Sequence, residues 1–179
     1  DACAIDSPVR GHALTPKGEH ISFAMDEIHS STNPTNRQKY MTELVWAMVH
    51  DHWPNDFKAR IYELAQRARV KEEKARLYCN DYGHYEASDV FVVRLDHKVD
   101  NQDRKYYLVA AEMKSRVGVL IEKDPMGGNW ITVATFDEKI DLAQIKGLDG
   151  GRSDYRFARA KKGGRAQIEQ IQAYIDQLD

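Results

Sequence analysis

The chain has 179 residues, 42% of them hydrophobic, and a formal net charge of -2. This length predicts one domain with one core, and no run approaches the roughly 18 apolar residues of a membrane span. The charge does not by itself indicate nucleic-acid binding, although local charge at a cleft can supply it. Two cysteines, Cys3 and Cys79, are too few for a disulfide framework and favour a reducing compartment, so we expect a cytoplasmic protein.

The N-terminal segment of the chain shows little periodicity. Residues 1–33 contain turn-forming Pro and Gly positions and predict an N-terminal arm that packs on the body. Residues 34–179 predict a single domain. The chain starts at Asp1 without a methionine, which leaves a fragment and a processed product as alternatives.

Two helices are predicted after the arm. Thr35 and Gln38 match a capping box, and an apolar stripe at helical spacing predicts a helix over about 36–50. The stripe consists of Met41, Leu44, Val45 and Met48. Glu43 lies on the shoulder of this stripe, where a carboxylate could point toward a site or simply face solvent. A second helix is predicted from Phe57 to about Arg76.

Three strands are predicted next, over 75–82, 88–95 and 105–114. A polar stretch over 96–104 predicts a hairpin between the last two. In an antiparallel hairpin, the start of one strand lies opposite the end of the other. We therefore expect Asp89 to lie beside Glu112 and Lys114.

The stretch Tyr107–Ser115 contains a carboxylate and an ammonium group next to a run of apolar residues. Five small or apolar residues predict a buried strand, and alternation would place Glu112 and Lys114 on the same face. The alternative is a solvent-exposed ion pair at the end of a strand. A rival site, Asp124 with Asp137 and Lys139, also follows a strand-like segment.

The last part of the chain adds a hairpin, a basic loop and a helix. Strands over 117–122 and 130–136 predict the hairpin, and 165–178 predicts an amphipathic helix with Gln167, Gln170 and Tyr174 on its other edge. The loop between them interleaves aromatic and basic residues, a pattern typical of nucleic-acid contact but also of a merely soluble loop. Its basic residues are Arg152, Arg156, Arg159, Lys161, Lys162 and Arg165.

The order of these features resembles the PD-(D/E)xK nuclease superfamily. The most similar parts are Ser88–Val93, Leu108–Ser115 and Gln167–Tyr174, and Ser88 stands where the superfamily has its name-giving proline. The resemblance runs from about residue 35 to the end, with an enlarged segment over 117–160. It implies an α/β (α+β) fold with a restriction-endonuclease-like core, in which helices flank a central mixed β-sheet.

The resemblance also implies a metal site. Mg²⁺ or Mn²⁺ would be held by Asp89 as the central ligand, by Glu112 and by the carbonyl of Met113. Lys114 would orient or deprotonate the attacking water. Three further residues would assist: Glu43 would hold a metal-bound water or a second metal, and Gln167 or Gln170 would position the lysine or a phosphate.

The sequence therefore predicts a metal-dependent nuclease that hydrolyses phosphodiester bonds of DNA, as a restriction-type endonuclease or a nuclease effector domain, with RNA left open. One alternative is a non-catalytic nucleic-acid-binding module that uses the basic loop. Another is a structural or partner-binding protein in which Glu112 and Lys114 form a plain ion pair. A homodimer and, for a toxin domain, an inhibitor protein remain open as partners, and no membrane partner is expected.

Overall fold

The computed structural model describes residues 21, 23–25, 27, 28, 33–148, 157–160 and 165–179. For residues 101–102, 157–160 and 165–167 it describes the backbone alone. Most of the predicted N-terminal arm and of the basic loop therefore lies outside the described residues. The chain divides into two compact units, residues 1–73 and 74–179. The single domain predicted over 34–179 stays a prediction.

Most described residues of the first unit are helical. α1 (Pro34–His50) begins after the N-cap Asn33, whose Oδ1 accepts a hydrogen bond from the backbone N–H of Thr35 at 3.1 Å. The predicted helix over 36–50 is confirmed, but Asn33 replaces Thr35 as the cap, because proline suits the first helical position that follows it. The core of this unit consists of Ala24, Met25, Ile28, Leu44, Ile61, Leu64 and Ala65.

α2 (Asn55–Tyr82) continues beyond its predicted end, so the predicted strand over 75–82 is wrong. Ala68, Ala75 and Cys79 are buried, and their spacing of seven and four residues places them on one face of a helix. This helical stripe outweighs the weak alternation within 75–82. The helix stops before Gly83.

In the described part of the chain, five strands form one sheet in the order β1-β2-β3-β4-β5. Their bounds are His84–Ala87, Val90–Leu95, Val117–Lys123, Asn129–Ala134 and Phe157–Ala160. β2 and β3 are parallel, whereas the other neighbouring pairs are antiparallel. The predicted mixed sheet of an α/β (α+β) protein is thus confirmed.

The segment predicted as the third strand is a helix, α3 (Asn101–Glu112). Its N-cap Asp100 accepts a hydrogen bond from the backbone N–H of Asp103 at 3.2 Å. Parallel strands need a crossover connection, and α3 supplies it between β2 and β3 in place of the predicted hairpin over 96–104. The strand prediction is wrong because a five-residue apolar run does not distinguish a buried strand from a buried helix.

The predicted hairpin of β3 and β4 is confirmed, with Gly118 paired to Ala134 at one end and Lys123 paired to Asn129 at the other. Gly127 and Gly128 form the turn with φ values of 97° and 85°. These left-handed conformations favour glycine, which has no Cβ atom to clash.

Helices cover both faces of the sheet. On one face α4 (Arg165–Asp176), which confirms the predicted last helix, buries Ile168, Ile171 and Ile175 in the main core of the second unit. On the other face α3 lies so close to β3 that a Cβ atom at Gly118 would be 2.6 Å from the backbone N of Glu112. Among the described helices, none is both long and apolar enough to cross a membrane.

A buried ion pair fixes α3 to β3. Arg104 Nε lies 2.7 Å from Glu122 Oε2, and Arg104 Nη2 donates to Glu122 Oε1 at 3.2 Å. The same Oε1 accepts the backbone N–H of Val99 at 2.8 Å. Glu122 is completely buried, so these bonds satisfy a carboxylate that would otherwise be costly to bury. The pair serves the crossover connection and not the candidate site.

Candidate active site

Glu112 and Lys114 do not share a strand face. Glu112 is the last residue of α3, Met113 caps the helix with an exposed side chain, and Lys114 lies in the loop that leads to β3. The hydroxyl of Tyr85 donates to the backbone carbonyl of Lys114 at 2.5 Å. Burial raises the pKa of the Glu112 carboxyl to about 8, so this half-buried group keeps its proton at neutral pH.

Asp89 lies in the turn between β1 and β2, where β2 starts beside β3. Its backbone carbonyl accepts the N–H of Val117 at 3.0 Å, which ties the turn to the first residue of β3. Its Oδ2 accepts hydrogen bonds from Gln172 Nε2 at 2.8 Å and from Ser88 Oγ at 3.1 Å. Its Oδ1 lies 3.9 Å from Arg116 Nη1.

Arg116 links Asp89 to two further carboxylates. Its Nε donates to Asp137 Oδ2 at 2.8 Å, and its Nη1 donates to Asp179 Oδ2 at 2.9 Å. Asp137 follows β4, and Asp179 follows α4. We call Asp89, Arg116, Asp137, Gln172 and Asp179 the Arg116 cluster. It lies at the edge of the sheet where β2 and β3 begin and β4 ends.

The electrostatics of the Arg116 cluster are dominated by carboxylates. The pKa of Asp137 is lowered, chiefly by a hydrogen bond from the backbone N–H of Lys139 and next by the hydrogen bond from Arg116. The bond to Asp137 in turn raises the pKa of Arg116. Three carboxylates surround one guanidinium, so an excess of negative charge remains that favours a bound cation.

The cluster fits a magnesium-like cation in part. Among the residues that the structure describes, no three His, Cys, Asp or Glu side chains are grouped to share one metal ion. Mg²⁺, however, keeps several waters and is often bound through only one or two carboxylates together with substrate phosphates. Asp89 and Asp137 supply two carboxylates that both pair with Arg116, and two carboxylates are enough for that mode of binding.

The other predicted site residues lie in different places. Glu43 is half-buried on α1 in the first unit. Gln170 is exposed on α4 with its Oε1 directed toward Gly147, and of Gln167 only the backbone on α4 is described. Arg159 and Arg165 are likewise described by backbone alone, in β5 and α4. The remaining basic positions lie outside the described residues: Arg152, Arg156, Lys161 and Lys162.

The rival site is divided by the β3–β4 hairpin. Asp124 follows β3 and accepts hydrogen bonds from the backbone N–H of Met126 and from Trp130 Nε1. Asp137 follows β4, so the two carboxylates lie at opposite ends of strands that are about 20 Å long. Asp137 joins the Arg116 cluster with Asp89, and Asp124 does not.

Sequence reasoning missed three members of the cluster: Arg116, Gln172 and Asp179, the last residue of the sequence. Arg116 immediately precedes the buried strand β3, a place where an isolated cation could have been noticed. Gln172 lies four residues after Ile168 and three before Ile175, beside the buried stripe of α4. That position, and not the exposed position of Gln170, brings an amide to Asp89.

The sequence matches no protein-family model and no curated protein. The fold, however, is similar to a solved structure of PggH, a pGpG-specific phosphodiesterase from Vibrio cholerae, with a TM-score of 0.58. The two chains are 12% identical, and the similarity covers 97% of this chain. This chain spans 60% of the length of PggH. At this identity the likeness shows the shared fold alone.

Proposed function

We propose that this protein hydrolyses phosphodiester bonds in nucleic acid, and that the Arg116 cluster is its active site. The observation that carries the proposal is the meeting of Asp89 and Asp137 around Arg116, because hydrolysis of this kind uses paired carboxylates beside cationic groups. The fold shared with a pGpG-specific phosphodiesterase supports the same reaction class.

Within this proposal, Asp89 and Asp137 hold Mg²⁺ or Mn²⁺. The bound ion would lower the pKa of a water molecule and offset negative charge on the phosphate. Arg116 presents guanidinium donors suited to phosphate oxygens. Lys139, whose ammonium contributes to the lowered pKa of Asp137, adds a second positive charge beside the same carboxylate.

Glu112 and Lys114 stay in the proposal as an alternative, in which Glu112 replaces Asp137 as the second carboxylate and Lys114 orients water. The Glu112 carboxyl has a pKa of about 8, so it must lose a proton before it binds a cation. This role therefore predicts an activity that increases with pH as that proton is lost. DNA is the first substrate to test, with RNA and pGpG as further candidates.

The test incubates the protein with supercoiled plasmid, labelled RNA or pGpG in Mg²⁺, Mn²⁺ or EDTA. We expect cation-dependent hydrolysis that falls at least about 100-fold in Asp89→Asn and in Asp137→Asn. Asp124→Asn is the matched control, because it makes the same chemical change at the other end of the hairpin. It should cleave like the wild type.

Each other outcome has a definite meaning. Full activity in Asp89→Asn would refute the site. Loss of activity in Glu112→Gln or Lys114→Ala would extend the site to the loop before β3. A wild-type protein that binds nucleic acid in a salt-dependent way but does not cleave it with either cation would select the non-catalytic binding module.

A further inference from the structure

The side chain of Gln172 forms a double contact with Asp89. Its Oε1 accepts the backbone N–H of Asp89 at 2.9 Å, and its Nε2 donates to Asp89 Oδ2 at 2.8 Å. One amide thus fixes both the backbone and the carboxylate of a residue 83 positions away. A single contact would hold the turn but would leave the carboxylate free to rotate.

Gln172 is itself held in place. Ile171 and Ile175 are buried on either side of it along α4, and Gln172 Nε2 also donates to Asp176 Oδ1 at 2.8 Å. Because a glutamine side chain normally has several rotamers, these contacts fix an orientation that would otherwise be costly to order. The amide is therefore presented to Asp89 in one defined geometry.

The contact with Gln172 occupies one carboxylate oxygen of Asp89 and thereby sets the direction of the other. Oδ2 is occupied by Gln172 and by Ser88, whereas Oδ1 faces Arg116 at 3.9 Å. Within the described residues, Oδ1 accepts no hydrogen bond, so it is the oxygen available to a cation or a water. We propose that Gln172 is a positioning residue that directs Oδ1 of Asp89 into the active site; this inference rests on the proposed function.

The charge of the surroundings makes the role testable. A carboxylate at position 172 keeps the shape of the amide but cannot donate to Asp89 Oδ2. It would face Asp89 and Asp176, with Arg116 as the compensating cation and with Asp137 and Asp179 bound to that same guanidinium. Two carboxylates at hydrogen-bond distance share a proton at low pH and repel each other once both are ionised.

The experiment measures kcat and KM for hydrolysis of the best substrate between pH 5 and 9. For Gln172→Glu we expect kcat to approach the wild-type value at the acidic end and to fall at least tenfold below it at pH 8, with a smaller change in KM. Gln172→Ala should lose activity without this pH dependence. Ala173→Glu is the matched control, because it places a new carboxylate at an exposed neighbouring position of the same helix. Its profile should follow the wild type.

A merely structural contact would give a different result. It would lower the thermal stability of Gln172→Glu and Gln172→Ala but leave the shape of the pH–kcat profile unchanged. A profile of Gln172→Glu parallel to that of the wild type would therefore overturn the positioning role alone. If the wild type hydrolyses no substrate while remaining folded, the proposed function fails, and the role of Gln172 fails with it.

Discussion

Glu112 illustrates how the burial of a single side chain makes the free energy of unfolding depend on pH. The Glu112 carboxyl has a pKa of about 8 in the folded protein, raised from its ordinary value of 4.5 by burial. Between these two pH values the folded state binds more protons at this residue than the unfolded state. The contribution of Glu112 therefore lowers the free energy of unfolding as the pH rises from about 4.5 to about 8.

Replacement of Glu112 by glutamine should remove that penalty. We expect Glu112→Gln to unfold at the same urea concentration as the wild type near pH 4.5 and to be more stable at pH 8.5, by on the order of 2–4 kcal/mol. Urea denaturation at both pH values measures the difference. Glu73→Gln, at an exposed position of α2, is the control and should leave the pH dependence unchanged. An identical pH dependence in Glu112→Gln would show that the carboxyl is not buried.

The same residues mark how far side-chain chemistry could be predicted from the sequence. The sequence indicates both Asp89 and Asp137, but as members of competing sites, because neither motif shows which loops meet at a sheet edge. The sequence does not indicate Gln172, since its role depends on the rotation of α4 about its axis, which a helical pattern gives only coarsely. The sequence indicates which residue types could form a site, but it does not indicate which of these residues contact one another.

At the scale of elements, the decisive contact is that between α3 and β3. Gly118 faces α3, and a Cβ atom there would lie 2.6 Å from the backbone N of Glu112 and 3.0 Å from Ala111 Cβ. Real Cβ atoms do not approach a backbone so closely, so any larger residue must displace the helix. The short distance explains why a glycine interrupts the apolar residues of β3.

Gly118→Ala should therefore shift the C-terminal end of α3 and destabilise the protein by about 1–3 kcal/mol. Amide chemical shifts should change along α3, including Glu112 and Met113. Gly127→Ala makes the same chemical change at the β3–β4 turn, where nothing lies within 4 Å of the added methyl group. The chemical-shift changes in Gly127→Ala should stay in the turn. A similar effect on α3 would contradict the close contact between Gly118 and α3.

Element prediction succeeded where the sequence has a long helical stripe or a glycine turn between two strands, and it failed for two segments that have neither. α1, the beginning of α2, the β3–β4 hairpin and α4 have stripes or turns that only one structure satisfies. The failures are 75–82, which alternates weakly, and 105–114, which contains an apolar run. In both segments the choice between strand and helix is decided by what packs on them. Asp100, which immediately precedes α3, is of a residue type preferred at helix N-caps, a signal that the strand prediction does not use.

At the scale of the whole molecule, the net charge of -2 conceals a strongly uneven distribution. Three carboxylates and one guanidinium meet at the edge of the sheet, where the β1–β2 turn, the loop before β3, the segment after β4 and the end of α4 converge. The excess negative charge there opposes folding unless a cation reduces it. Binding of a cation to this edge should therefore stabilise the entire second unit, whichever substrate the protein acts on.

This coupling gives a test that does not depend on hydrolysis. A ligand that binds the folded state alone stabilises it by about 2.7 kcal/mol at one hundred times its Kd. We expect Mg²⁺ or Mn²⁺ to raise the Tm of the wild type above its value in KCl of equal ionic strength. Asp89→Asn should lose this increase, whereas Asp124→Asn should keep it, because Asp124 lies at the other end of the hairpin. An equal increase in Tm in all three proteins would mean that the cations act through general screening. The convergence of Asp89 and Asp137 on Arg116 would then be an ion-pair network without a cation site.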